Sequence, residues 1–249
     1  LAWDTATYTK QFSFVPQYGT AMVDMITHKS GSSLLDLGCG EGSLSAILHS
    51  KGFLVTGLDA SEEMLAAARK NHPGIPFIQG DATAFHPSHP YDVVFSNAVL
   101  HWIPQEKQMD LLRCVASALH PGGEFIFEMG GHGNNALIHA EMEKLFTQYG
   151  KRYRFPFFFP TIGEYTPMME KAGFTVTDAF LFDRPTKLIG SDGLSEWIRM
   201  FIRSPFEGME EKEHREIIEE AVEELKPSLL KDGVWYSDYV RLRIRAVIL

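Results

Sequence analysis

The chain has 249 residues, with 23 Lys and Arg against 32 Asp and Glu, a net charge of −9. At 45% hydrophobic and 22% charged it has the composition of a globular protein with a buried core, which excludes a disordered or fibrous chain. The acidic balance argues against nucleic acid or an anionic membrane as partner, because both demand a basic surface. Cys39 and Cys114 make neither a disulfide framework nor a multi-cysteine zinc site. The histidines are scattered without an H-E-x-x-H pattern, so no metal is expected. No stretch approaches the roughly 20 apolar residues of a membrane span, and no basic-then-apolar leader opens the sequence. The expectation is a cytoplasmic enzyme acting on a small molecule, with a monomer slightly favoured over an oligomer.

Short β-rich runs alternate with helical patterns through the first half, the mark of a parallel sheet with crossover helices. Ser33–Leu37 reads as a buried strand, followed by a glycine cluster and a helix over Ser43–Ser50. Phe53–Leu58 is a second strand and Ser61–Asn71 a second helix, with Ser61 as N-cap and Met64, Leu65 and Ala68 on one apolar face. Ile75–Gln79 and Tyr91–Ser96 are further strands, and Lys107–Leu119 a third helix. His120-Pro121-Gly122-Gly123 breaks that helix before a fifth strand, Glu124–Met129. Beyond it come a helix near Leu137–Tyr149, the aromatic run Tyr153–Pro160, helix Ile162–Lys171 and strand Phe174–Phe182. Helices near Gly193–Arg203 and Glu207–Leu225 follow. Tyr239–Ile248 closes as a strand that places Arg241, Arg243 and Arg245 on one face. These three are expected to be structural, beside acidic helices. The stretch from Glu207 to Lys226 holds nine glutamates against Lys212, Arg215 and Lys226, so most of the net charge is the solvated face of one amphipathic helix.

The most informative stretch is Asp36-Leu37-Gly38-Cys39-Gly40-Glu41-Gly42, at the end of the first strand. Strand, glycine turn and helix N-terminus let backbone approach a ligand without Cβ obstruction. A dinucleotide fingerprint would put its third glycine at position 43, which is Ser43. The acid Asp36 repels a pyrophosphate and attracts an ammonium. The spacing therefore favours S-adenosylmethionine over NAD. Asp59, in Gly57-Leu58-Asp59, stands where a carboxylate accepts from both ribose hydroxyls, or else caps the next helix. Asp81 and Ala82, after the third strand, suit the adenine amino group and ring, against the alternative of a turn aspartate. Ser96-Asn97-Ala98-Val99-Leu100-His101-Trp102 follows the fourth strand, at the edge where open α/β sheets place ligands.

With these motifs, and with Leu119-His120-Pro121-Gly122-Gly123, the chain resembles a class I S-adenosylmethionine-dependent methyltransferase of the trans-aconitate methyltransferase group. The resemblance covers residues 33–130 most specifically. Phe159–Tyr165 and Phe182–Thr186 extend it more loosely. It implies a doubly wound, mostly parallel seven-stranded sheet whose last strand is antiparallel, with helical cap insertions. It also implies one domain over 1–249, a cofactor-binding half at about 30–130, and cap or acceptor-site elements at 1–29, 131–160 and 190–235. The expected cofactor set is Asp36, Gly38, Cys39, Gly40, Asp59, Ala60, Met64, Asp81, Ala82, Asn97 and Ala98. S-adenosylhomocysteine is the product. Cys39 itself is read as a small packing residue.

Methyl transfer from a sulfonium is an in-line displacement whose acceleration comes largely from alignment and exclusion of water. A carboxylate acceptor is already ionised at neutral pH, whereas a phenol or amine has a proton to manage. No obligatory catalytic residue follows from this. His101 is the candidate if a base is used, and with Trp102 it is expected to line the acceptor pocket; the alternative is a locally packed histidine. The resemblance assigns Trp3, Tyr8, Phe12, Phe14, Gln17 and Tyr18 to the segment closing over substrate, with Tyr8 nearest the centre. Those side chains equally suit a hydrophobic anchor. Arg152 and Arg154 flank Tyr153 where the family carries acceptor-site insertions, and either bind a substrate carboxylate or pair with the acidic helix. His132, in the glycine-rich turn after the fifth strand, is a further candidate for the acceptor mouth. The expected reaction is methylation of a small acid on a carboxylate oxygen. A phenol, quinone-like or thioester-linked acceptor, an NAD-dependent oxidoreductase, and a non-catalytic cofactor-binding subunit are the alternatives.

Overall fold

The computed structural model describes residues 22–249. The chain divides into two compact units. Of the described residues, the first combines 22–131, 158–181 and 242–249, and the second combines 132–157 and 182–241.

β1 (Ser33–Leu37), β2 (Leu54–Asp59), β3 (Phe77–Gln79), β4 (Tyr91–Asn97), β5 (Leu119–Gly130), β6 (Phe174–Asp183) and β10 (Val240–Ile248) form one sheet, in the order β3-β2-β1-β4-β5-β10-β6, and all but the last two residues of β6 and the first two of β10 belong to the first unit. One strand of the seven is antiparallel. Two ion pairs identify it as β10: Arg243 meets Glu128 and Arg245 meets Glu124, so the β10 numbering rises as that of β5 falls. Helices α1 (Ser43–Ser50), α2 (Glu62–Asn71), α3 (Gln108–Ser117) and α5 (Ile162–Lys171) flank the sheet.

Strand alternation divides the core between the two faces. Leu34, Val55, Val93, Phe95 and Ile126 pack with Leu44 and Leu48 of α1 and Leu65 and Ala68 of α2. Their neighbours Leu35, Leu37, Val94, Phe125 and Phe127 pack on the other face with Leu111, Leu112 and Val115 of α3 and Tyr165 and Met169 of α5. Ser61 caps α2, its side chain accepting from Met64 N–H at 3.3 Å. Thr161 and Glu164 close a reciprocal capping box on α5.

Two expectations are corrected here. His120-Pro121-Gly122-Gly123 does not precede the fifth strand but lies inside it. Tyr91 pairs with Leu119 and Val93 with Glu124, so the four residues form a bulge within β5. Arg243 and Arg245 of β10 pair with acids of the neighbouring strand β5, not with acidic helices, and Arg241 lies over the Tyr239 ring at 5.5 Å. Glu124 and Glu128, which share a strand face with Ile126, are almost wholly buried, and charge pairing is what allows them there.

The second unit holds α4 (Ala136–Gln148), α6 (Gly193–Phe201), α7 (Glu211–Leu229) and a small sheet. Ile138, Met142, Leu145 and Phe146 of α4 are buried, as are Ile217, Ile218, Ala221, Leu225 and Leu229 of α7. The small sheet, β7 (Thr186–Lys187), β9 (Val234–Ser237) and β8 (Leu230–Lys231) in the order β7-β9-β8, was not anticipated from the sequence. Its β8–β9 hairpin turns on Asp232 and Gly233, both at positive φ, the two-residue turn that Asp-Gly favours. Trp197 Nε1 donates to the Tyr239 hydroxyl at 2.7 Å across this core. Among the described residues no helix is long and apolar enough to cross a membrane.

Candidate functional site

The carboxyl ends of β1, β2, β3 and β4 lie side by side, and the loops leaving them carry most of the expected residues. Gly38, Gly40 and Gly42 all take positive φ, which L side chains rarely adopt. They differ in what surrounds them. A Cβ on Gly38 would lie 2.3 Å from Val99 Cγ2, and one on Gly42 2.7 Å from Phe77 Cζ. A Cβ on Gly40 would meet no described atom within 4 Å. Gly38 and Gly42 are therefore glycine for packing, and Gly40 faces open space among the described residues.

Asp59 is both the strand-end acid and the brace of this loop. Its Oδ2 accepts from Gly40 N–H at 2.9 Å and its Oδ1 from Ser61 N–H at 2.8 Å. Each oxygen keeps a second lone pair for another donor. Gly80 N–H donates to the Asp59 carbonyl at 3.0 Å, which ties in the loop after β3. There Asp81 Oδ1 accepts from both Thr83 N–H and Thr83 Oγ1 at 2.8 Å. Those bonds hold the Asp81 carboxyl below its ordinary range. Ala82 packs against the core beneath this loop.

Asp36 lies under the loop, 2% exposed, with Ser45 Oγ donating to its Oδ2 at 2.5 Å. Burial pushes its carboxyl up to about 7, against the Ser45 bond and helped by nearby Asp59. Burial also pushes the Cys39 thiol up, reinforced by Asp36 and Asp59. Cys39 Sγ would meet a Cβ on Gly57 at 2.8 Å, consistent with a packing residue rather than a nucleophile. Met64 is buried in α2, and Ala60 is exposed between β2 and α2.

The exit of β4 is under strain. Ala98 has φ 61°, and its N–H is held by the Glu128 carbonyl at 2.8 Å. Asn97 is the last residue of β4, in register with Glu128. His101 follows in a single 3₁₀ turn, Leu100–Trp102, and is 7% exposed. Gln108 Nε2 fixes that turn by donating to the carbonyls of Leu100 and Ile103, while its Oε1 accepts from the Tyr165 hydroxyl at 2.9 Å. The His101 ring lies 5.8 Å from Trp102 and 5.6 Å from Phe159.

Gly130 N–H donates to His101 Nδ1 at 3.2 Å. A backbone N–H is always the donor, so Nδ1 accepts and the proton of the neutral ring is on Nε2. Nothing local in the sequence signals this contact, because Gly130 is 29 residues away along the chain.

Arg152 and Arg154 belong to the second unit, on an exposed segment that is neither helix nor strand. Among the described residues neither guanidinium makes an ion pair or hydrogen bond, whereas neighbouring Lys151 pairs with Glu213 at 3.1 Å. His132, in that unit, is exposed. Trp3, Tyr8, Phe12, Phe14, Gln17 and Tyr18 lie outside the described residues.

Comparison with known proteins agrees with this arrangement. Residues 34–123 match the family described as a methyltransferase domain. The chain is 34% identical over 258 residues to an uncharacterized methyltransferase of Schizosaccharomyces pombe, covering 98% of this chain and 97% of that one. It is 30% identical over 215 residues to a trans-aconitate 2-methyltransferase of Methylobacterium nodulans, covering 82% and 81%. Its fold matches the crystal structure of the YcgJ protein of Bacillus subtilis, with TM-score 0.65 and 17% identity over 93% of this chain and 98% of that one. The chain thus belongs to the class I S-adenosylmethionine-dependent methyltransferases and resembles their trans-aconitate methyltransferase group.

Proposed function

We propose that this methyltransferase acts on a carboxylate oxygen of a small organic acid. The observation that carries the proposal is the hydrogen bond from Gly130 N–H to His101 Nδ1. The buried histidine after β4 cannot take up a proton at Nδ1 without losing that bond, and its Nε2 already bears one. It is a hydrogen-bond donor, suited to an anionic oxygen and unsuited to deprotonating a phenol or an amine. A carboxylate acceptor has no need of such a base. The relative named as a trans-aconitate 2-methyltransferase supports the same class of acceptor.

The residues around the glycine loop fit the cofactor. Open space over Gly40 admits its amino-acid end, and the free lone pairs of Asp59 accept from ribose hydroxyls. Asp81 directs both Thr83 bonds to Oδ1, leaving Oδ2 to accept from the adenine amino group beside Ala82. Asp36, Asn97 and Ala98 complete the set, with Gly38, Cys39, Ala60 and Met64 shaping its walls. When bound, S-adenosylmethionine supplies an electrophilic methyl group on a sulfonium. The chain's own contribution is to align the acceptor and keep out water. Arg152 and Arg154 suit a substrate carboxylate, since guanidinium binds a carboxylate through two parallel bonds.

The test is transfer of a labelled methyl group to trans-aconitate and a panel of di- and tricarboxylates, with catechol as the phenolic comparison. A base-labile methyl ester is expected, with kcat at saturating S-adenosylmethionine nearly flat from about pH 6 to 9 because no base is titrated. Methylation of catechol alone, with a rate that climbs through a basic limb, would overturn the reading.

A further inference from the structure

Segment 151–160 carries Arg152 and Arg154 yet has no helix or strand to fix its path. Its anchor is Tyr153. The Tyr153 hydroxyl lies 2.6 Å from Nδ1 of His139, a residue of α4 that is 6% exposed. Phe155 and Phe157 meet the His139 ring edge-on at 4.6 and 5.5 Å, and Phe146 meets Tyr153 at 5.2 Å. Tyr153 is half-buried, whereas Arg152 and Arg154 on either side of it are exposed. All of these residues belong to the second unit.

We propose that the Tyr153–His139 hydrogen bond is a positioning device for acceptor recognition, fixing the segment so that Arg152 and Arg154 are presented together. The inference rests on the reading of those arginines as the acceptor's carboxylate partners. Burial drives His139 down to about 3 and pushes the Tyr153 phenol up, so the bond is neutral and persists across the working pH range. Neither group contacts the acceptor. Their effect passes through the backbone of residues 152–154.

The experiment compares Tyr153→Phe, His139→Leu and His139→Asn with Arg152→Ala and Arg154→Ala, using trans-aconitate as probe and S-adenosylhomocysteine to report cofactor affinity. Asparagine places a side-chain oxygen or nitrogen where Nδ1 stood, so it can retain the Tyr153 bond. Tyr153→Phe is expected to raise the KM for trans-aconitate by about tenfold while kcat changes less than about twofold and the affinity for S-adenosylhomocysteine is unchanged. His139→Leu does the same, and His139→Asn restores much of the loss. The double variant Tyr153→Phe/His139→Leu is no worse than either single one, as expected of a shared interaction. If both arginine variants raise KM and Tyr153→Phe does not, the positioning role is overturned and the reading of the arginines stands. If neither arginine variant changes KM, or the unaltered protein turns over no carboxylate, that reading fails and takes the inference with it.

Discussion

Gly38 and Gly40 share a left-handed backbone conformation, yet substitution at each should act through a different quantity. Alanine at either carries a left-handed strain of roughly 1–2 kcal/mol. At position 38 its Cβ also overlaps Val99, so the main effect is on stability. At position 40 the Cβ meets no described atom, and it enters the space assigned to the cofactor. We expect Gly40→Ala to lower the melting temperature by only a few degrees while weakening S-adenosylhomocysteine at least about tenfold. Calorimetry and a thermal scan on the same preparation check this, and unchanged affinity contradicts the cofactor assignment. The glycine loop, Asp59 and Asp81 were legible in the sequence because each follows directly on a strand end, where local pattern and site coincide. His101 was legible as a residue at the exit of β4 but not as the partner of Gly130 N–H. Its role depends on Gly130, and no local pattern reports a contact across 29 residues.

At the scale of elements, the β5–β10 pairing shows how charge is kept inside a sheet. Glu128 is fully buried, and Arg243 meets its Oε2 through Nε at 3.0 Å and through a terminal nitrogen at 2.7 Å. Removing one member of such a pair leaves the other buried without it, at a cost of about 3–5 kcal/mol. Arg243→Leu should show a loss of that size in urea unfolding. The double variant Glu128→Leu/Arg243→Leu should recover most of it, because no uncompensated charge remains. A double variant as unstable as the single one would show that the pair itself supplies the stability. Sequence periodicity gave β10 and its arginine face correctly. It could not give the partners, since Glu124 and Glu128 sit in a strand whose other residues read as plain core. The bulge in β5 was misread for a related reason. Pro and two glycines mark a break in regular backbone, but pairing partners decide whether strand continues on the far side. The β8–β9 hairpin was readable in Asp232-Gly233, but strands of two and four residues carry too little alternation to stand out beside a nineteen-residue helix.

For the whole molecule, two buried carboxylates pull stability in opposite directions with pH. Burial opposes ionisation of Glu124, but hydrogen bonds from Thr27 and Arg245, with His28 Nδ1 close by at 3.1 Å, outweigh it and hold the group at about 2. Its folded value is below the unfolded one, so its contribution is present above about pH 4.5 and disappears as the pH falls towards 2. Asp36 is the reverse case. Its folded value of about 7 exceeds the unfolded 3.8, so its contribution is complete below about pH 4 and is lost as the pH rises through 7. Asp36→Asn, which cannot ionise, should therefore match the parent protein near pH 4 and exceed its melting temperature near pH 8, in the absence of cofactor. Equal melting temperatures at both pH values would place Asp36 in a more hydrated setting than its 2% exposure indicates.

The position of β10 bears on how the protein is made. Residues 240–248 lie between β5 and β6 in the finished sheet, although both neighbours precede them in the chain. During synthesis β6 emerges with no strand of the central sheet beside it. Glu124 and Glu128 likewise wait for their cations until Arg245 and Arg243 leave the ribosome. The half of the sheet that carries the glycine loop, β3-β2-β1-β4-β5, has no such dependence and can assemble as it emerges. Folding is thereby split in time. The cofactor-side strands pair through short-range crossovers, whereas the remaining edge needs long-range pairing, the slower kind of contact to form. Until that pairing is complete β5 presents an open strand edge, so a chain whose β10 has not yet paired is the form most exposed to edge-to-edge association.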